Sequence, residues 1–242
     1  MLKIQPQGVI AALLLSLCLP IHAQTDWGER LRRALPASDA QAPASGQEAG
    51  LRDLLNTSSD HAVSTAGQQG GFLDNPGIRI PLPGILKDAQ GLLSGLGLSQ
   101  QLDDLETAIN AAAERAAPAA RPILAEAVRD LRFEDVQPIL GSADGATRHL
   151  RDRQGERVAQ ALLPETRHAL RETGATQALS SLIDHIGTRL PGISALRDFD
   201  LDTYVNDQTV AGLFDLMAER EGMIREDPMG QGGQMLRGLF GR

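Results

Sequence analysis

The stretch that most constrains this chain is Leu201–Gly230, LDTYVNDQTVAGLFDLMAEREGMIREDPMG. Its periodicity demands a helix, and its apolar face carries a carboxylate. Val210, Leu213, Phe214, Met217 and Ile224 recur at i, i+3, i+4, i+7 and i+14, one face of an α-helix. Pro228 and Gly230 are expected to end it, because Pro lacks the N–H and Gly suits a C-terminal cap. At about 100° per residue Glu221 lies near the middle of the apolar face, and Arg225 follows at i,i+4. Desolvating an unpaired carboxylate costs several kcal/mol, so a buried Glu221 needs a partner. Arg225 is nearest in sequence, with Arg115 and Arg121 from Ala-rich helices as further candidates. Two readings follow: a buried structural ion pair, or a ligand or proton-transfer site. If the pair is structural, Glu221→Gln should be tolerated better than Arg225→Ala, which strands a charge.

Residues 1–23 read as a secretory signal peptide. Lys3 is the only charge, Val9–Leu19 is the apolar run, and Pro20 and Ala23 suit the end of such a leader. The run is shorter than the ~20 residues that span a bilayer as a helix. Cleavage after Ala23 makes the protein periplasmic. The alternative is lipid attachment at Cys18, giving a lipid-anchored envelope protein. Leu17 fits that alternative poorly, because lipoprotein processing favours a small residue before the cysteine. Cys18 is the only cysteine, so the cleaved chain is cysteine-free and has no disulfide, thiol catalysis or thiolate metal site.

With 31 acidic and 23 basic residues the chain carries a net charge of −8, and loss of the leader removes one more positive charge. An acidic chain does not suit the phosphate backbone of nucleic acids. One Trp, one Tyr and five Phe give few stacking platforms for bases.

Residues 24–49 are expected to hold a short helix, Asp26–Leu35, and a linker, because Pro36–Gly50 is rich in Pro, Ala, Ser and Gly. Residues 50–242 are then one all-α domain of about nine or ten helices with one extended, Pro-rich strap. Leu51–Ala66 is the first of these helices. In GFLDNPGIRIPLPGIL the alternating Ile78, Ile80 and Leu82 and the prolines 76, 81 and 83 make an apolar strap laid across the helices. Helices are expected over Gly84–Leu96 and over Gln100–Ala117, the latter capped by Ser99. Asn110 and Glu114 lie a turn apart on the face away from the stripe of the second. They should be solvated or make a helix-contact hydrogen bond. Pro118 should break that helix, with Ala119–Leu131 resuming it and Phe133–Leu140 following. Asp144 should cap Gly145–Leu163, which Pro164 ends. Glu165–Thr173, Gln177–Leu190 and Gln234–Phe240 complete the set.

Several separated segments, in order, resemble the bacterial exported family called domain of unknown function 4197. They are GFLDNPGIRIPLPGILKDAQGLLSGLGL, NAAAERAAPAARPILAEAVRDL, the Asp200–Gly230 stretch and LRGLFG. The resemblance covers about Gly50 to Arg242. It implies an exported helical protein, mostly of Gram-negative bacteria, and brings no activity, substrate or cofactor with it. Matching residues are Asn110, Glu114, Asp135, Thr147, Asp202, Tyr204, Glu219, Glu221, Arg225 and Pro228. His149 stands where an aromatic such as Tyr is common, and Arg132 replaces a usual capping Thr or Ser.

Catalytic motifs are missing. Gly91, Ser94 and Gly95 have the wrong spacing for a nucleophile elbow, and the adjacent Ser59, Asp60 and His61 cannot form a triad among themselves. His61, His149, His168 and His185 have no recognised metal-ligand spacing, and no cofactor-binding loop is present. Asp198, Asp200, Asp202 and Asn206 have the opening spacing of a calcium loop. Thr203 and Thr209 occupy its Gly and bidentate Glu positions, so Asp202 reads instead as a helix N-cap. Two classes of function remain. One is a non-enzymatic envelope protein that binds a partner or assembles. The other is a small-molecule binder or hydrolase centred on Glu221 and Arg225, with Asn110, Glu114, Asp202, Tyr204 and Glu219 as further polar candidates. A cavity of about 300 Å³ or more reaching Glu221 would favour the second, and a sealed pair the first.

Overall fold

In the computed structural model, residues 44–133, 137–186 and 198–227 are described, and all belong to one unit, Ala42–Arg242. The helices are α1 (Ala44–Ala66), α2 (Gly84–Gly95), α3 (Ser99–Ala116), α4 (Ala120–Asp130), the single turn α5 (Gln137–Leu140), α6 (Gly145–Glu172), α7 (Ala175–Ile186) and α8 (Leu201–Glu226). No strand occurs among the described residues. The class is all-α, with fewer helices among the described residues than the nine or ten expected. The expected helices Asp26–Leu35 and Gln234–Phe240 lie outside the described residues.

Helix α8 organises the rest. It packs most extensively on α1 and α6, and also touches α3. Glu221 and the five apolar residues of the expected stripe are buried, but so are Leu201, Val205, Asn206, Thr209 and Leu216. At about 100° per residue this buried surface covers well over half the helix circumference. A helix buried on most sides is a central element rather than an amphipathic cover.

The strap is where expected. Phe72, Ile78, Ile80 and Leu82 are buried between the helices. Gly212 lets it approach α8: a Cβ there would meet Phe72 Cε1 at 2.9 Å and Ile78 Cβ at 3.1 Å.

Several local expectations are corrected. Helix α1 starts at Ala44, so part of the expected linker is helical, and Gly50 and Leu51 are buried. Pro118 sits in a 3-10 turn, Ala117–Ala119, that joins α3 to α4. Pro164 does not end a helix: α6 runs through it for 28 residues. Proline removes one helix hydrogen bond and pushes back the carbonyl four residues earlier. The neighbouring turn is supported from α8, where Asn206 Nδ2 donates to the Ala159 carbonyl at 2.9 Å and Asn206 Oδ1 accepts from Thr166 Oγ1 at 3.0 Å. Ser99 is the first residue of α3 and Leu98 its cap, without a side-chain bond. The cap of α8 is Asp200, not Asp202: Asp200 Oδ1 accepts from Thr203 N at 3.0 Å and Oδ2 from Thr203 Oγ1 at 2.7 Å. Those bonds suit the ionised carboxylate at the position whose φ/ψ leave the helix. Of the expected helix Phe133–Leu140, only the turn Gln137–Leu140 is described as helical. Helix α7 begins at Ala175 and is described to Ile186; residues 187–190 of the expected helix lie outside the described set.

Two predictions follow from α8. Gly212→Ala should destabilise by about 1–3 kcal/mol through overpacking against the strap. Gly222→Ala, where a Cβ would meet nothing within 4 Å, should stabilise by up to about 1 kcal/mol. Urea denaturation of both variants reads the opposite signs, and equal effects would refute the close approach at Gly212. The second concerns pH. The Thr203 backbone N–H, and then its hydroxyl, hold the Asp200 carboxyl below its ordinary value. The cap's contribution is therefore fully present above the unfolded carboxyl's pKa, about 3.9, and lost as pH falls through the lower folded value. Asp200→Ala should lose about 1 kcal/mol at neutral pH and show a smaller acid dependence than wild type. An unchanged acid limb would count against it.

Candidate functional site

Glu221 is fully buried, and the Arg225 side chain is 10 % exposed. Their geometry explains both. An α-helix begins with four N–H groups that have no partner inside it. In α6, Gly145 N donates to Ser142 O at 3.4 Å and Arg148 N to Asp144 O at 2.9 Å. The two between them are taken by Glu221 from α8. Ala146 N donates to Oε1 at 3.0 Å and Thr147 N to Oε2 at 2.7 Å. Asp144 holds the N-cap position but its side chain makes no cap bond, accepting instead from Ser142 Oγ and from Arg148. The carboxylate thus caps a helix that is distant in sequence, and its charge lies at the positive end of that helix's dipole.

Arg225 completes the clamp. Its Nε and Nη2 donate to Glu221 Oε1 at 2.8 and 2.5 Å. Its Nη1 donates to Leu140 O at 3.1 Å and Nη2 to Ile139 O at 3.2 Å, the carbonyls at the end of α5. One ion pair therefore holds the end of one helix and the start of the next. Gly145 lets these approach, since a Cβ there would meet Ile139 O at 2.3 Å. Arg115 and Arg121, expected as further partners of Glu221, pair elsewhere, with Glu172 at 3.0 Å and with Asp60 respectively.

Asn110 and Glu114 form a second cluster, on the strap. The expectation that they lie away from the packed face is corrected: Asn110 is fully buried. Its Oδ1 accepts from Ile80 N at 2.9 Å, and its Nδ2 donates to Ile80 O and to Glu106 O, both at 2.8 Å. The amide pairs with the strap's backbone as a neighbouring strand would. Glu114 Oε1 accepts from Phe72 N and Leu73 N, each at 3.1 Å. Glu106 binds Arg79 at 2.8 Å. Tyr204 reaches the strap from α8, donating to Pro81 O at 2.9 Å, and burial, then the nearby Glu106, raises its hydroxyl pKa. Strand-poor backbone laid over helices has no ladder to satisfy its polar groups, so side chains must do so. A helical wheel built only from apolar residues cannot show this. The extended, proline-bounded strap opposite was the available signal.

The remaining candidates are scattered. Asp202 pairs with Arg167 at 2.7 Å. Glu219 is exposed near His61, whose pKa is lowered by partial burial and then by Arg220, with Glu219 opposing. Asp200, Asp202 and Asn206, which share the calcium-loop spacing, are each engaged in separate structural bonds. Asp135 and Pro228 lie outside the described residues. Sequence reasoning missed Arg52, which caps the end of α4 by donating to the Val128 carbonyl, to Arg129 O at 2.9 Å and to Leu131 O at 2.6 Å. Its guanidinium lies 5.2 Å from the Phe133 ring centre, and that ring stacks on His149 at 5.8 Å.

A groove of about 390 Å³ lies between α6 and α8, walled by residues between Arg151 and Ala159 and between Asp207 and Phe214. Neither Glu221 nor Arg225 lines it. The pair that sequence marks as the centre of a site is sealed, and both carboxylate oxygens are occupied.

Among the described residues every group bonded to the Glu221 carboxylate is a donor, which removes the expected advantage of Glu221→Gln over Arg225→Ala. Glu221→Gln sets an NH2 against one of those donors and removes the negative charge that Arg225 Nε and Nη2 meet. It should lose about 3 kcal/mol, as much as Arg225→Ala. Chemical denaturation of both decides this, and a Gln variant within about 0.5 kcal/mol of wild type would contradict the all-donor geometry. Asn110→Ala should lose about 2–3 kcal/mol, because it orphans the buried N–H and C=O of Ile80. Hydrogen exchange of the Ile80 amide should quicken in that variant. Unchanged exchange would mean the strap is held without Asn110.

No match was found among curated proteins or among solved structures. A family model described as "Protein of unknown function (DUF4197)" matches residues 41–241, which takes in the strap, the Asn110 and Glu114 cluster and the Glu221–Arg225 clamp. The chain belongs to that family.

Proposed function

We propose that the protein is a non-enzymatic binding or assembly protein of the cell envelope, exported through the leader at residues 1–23. The observation that carries the non-enzymatic part is the state of Glu221. A general base or nucleophile needs a free lone pair within reach of a substrate. Glu221 is fully buried, and its oxygens accept from Ala146, Thr147 and Arg225. The alternative, a small-molecule binder or hydrolase built on Glu221 and Arg225, requires the clamp to open, which would uncap α6.

Support for export is the charge and apolar pattern of residues 1–23. No helix among the described residues is long and apolar enough to cross a membrane. The acidic balance, −8 overall, argues against nucleic acid as partner.

Two measurements test the reading. Cell fractionation with intact-mass analysis should find the chain in the periplasm, starting at Gln24. A diacylglyceryl mass increment on Cys18 would place it on a lipid anchor, and a retained Met1 in the cytoplasm would overturn export. Ester, phosphoester and peptide chromogenic substrates should show no turnover by wild type. Turnover that Glu221→Ala abolishes while the fold persists would overturn the non-enzymatic reading.

A further inference from the structure

The groove between α6 and α8 is a concave surface that the clamp and the strap do not use. Its volume, about 390 Å³, is of small-molecule size. Its floor is apolar: Val210 and Phe214 are buried and present only their edges, with Ala159 and Ala211 beside them. Gly155 keeps the α6 wall low. A Cβ there would meet only ordinary contacts, Arg151 Cγ at 3.7 Å and Phe214 Cε2 at 3.8 Å, so packing does not demand a glycine in this helix interior. Glycine there is about 1 kcal/mol worse than alanine for the helix.

The rim has a sign. Arg151 is already committed, its Nη2 to Asp215 at 2.6 Å and its guanidinium 5.2 Å from the Phe214 ring centre. Among the described residues Glu156 accepts from a neutral amide, Gln160 Nε2 at 3.2 Å, and neither Glu156 nor Asp207 has a basic partner. An apolar floor beneath two uncompensated carboxylates, in a chain of net charge −8, is complementary to a cation with an apolar body.

We infer that this groove binds a small organic ammonium with an aromatic or aliphatic body. The body lies on Val210, Ala211 and Phe214, and the ammonium lies between Glu156 and Asp207. This rests on the reading of the protein as a binding protein and names the site and ligand class for it.

The test is an NMR titration of the full mature chain, isotopically labelled, with 2-phenylethylammonium, 3-phenylpropionate and 2-phenylethanol. The ammonium should give saturable shifts at Gly155, Ala159, Val210 and Ala211. It should bind at least about tenfold more tightly than the carboxylate of the same shape. Asp207→Asn and Glu156→Gln, both at exposed positions, should each weaken it about threefold, the scale of an exposed charge pair. Ala211→Leu should block it by filling the groove, with an unchanged thermal melt showing that the fold persists. Equal binding of ammonium and carboxylate overturns the proposal. So does the absence of shifts, or concentration-dependent shifts at these residues without ligand, which would make the groove an interface between copies. Each of these outcomes leaves the non-enzymatic reading standing, because that reading fails only on Glu221-dependent turnover.

Discussion

The bond on which this fold depends is the one from the N-terminal amides of α6 to the Glu221 carboxylate. A helix start needs acceptors, and a start folded against other helices cannot rely on water for them. Here the acceptor comes from α8, 74 residues away along the chain. The cap therefore fixes tertiary structure as well as local structure: α6 cannot begin correctly unless α8 is in place. Arg225 extends the constraint to the end of α5, and α8 itself packs on α1 and α6. A buried ion pair is weak stabilisation in general, because desolvation offsets the attraction. In this case the offset is met by backbone donors and carbonyls, so the pair's main effect is to specify one arrangement of three helices.

The same logic recurs wherever backbone leaves regular structure. On α3, Glu106, Asn110 and Glu114 stand at i, i+4 and i+8 and serve Arg79, Ile80 and Phe72–Leu73 of the strap. Arg52 serves the carbonyls at the end of α4, and Asn206 serves one beside Pro164. A net hydrogen bond adds only about 1 kcal/mol, but an orphaned buried group costs about 1–3 kcal/mol. Removing any of these side chains therefore leaves a backbone group unpaired. Polar residues that resemble a site in sequence are here the fittings of an irregular backbone.

How much of this was legible follows from which forces act locally. The stripe of α8 was readable because side-chain spacing sets which residues share a face, and Glu221 within it announced that a partner was needed. The strap was readable because Pro76, Pro81 and Pro83 forbid helix there and Ile78, Ile80 and Leu82 alternate. Non-local satisfaction was not readable. Pro164 looks like a helix end until Asn206 arrives from α8, and Asp202 looks like a cap until Asp200 is seen to take Thr203 N. A wheel of apolar neighbours puts Asn110 on an outer face, whereas its actual neighbour is the extended backbone of Ile80. Arg225 was legible as Glu221's partner, yet the amides of Ala146 and Thr147 were not, since backbone donors leave no mark in a sequence.

These placements bear on function by subtraction. The charged residues with the strongest appearance of a site are committed to structure, whereas the groove between α6 and α8 is open. The central claim, that Glu221 is a helix cap and not a reactive group, has a direct test in native-state hydrogen exchange. Amides in the first turn of a helix ordinarily exchange through low-energy local opening. Those of Ala146 and Thr147, held by Glu221, should exchange as slowly as core amides of α8 such as Met217. Exchange at the rate of a frayed helix start would show that the carboxylate is not held there, and would return Glu221 to the list of groups free to act.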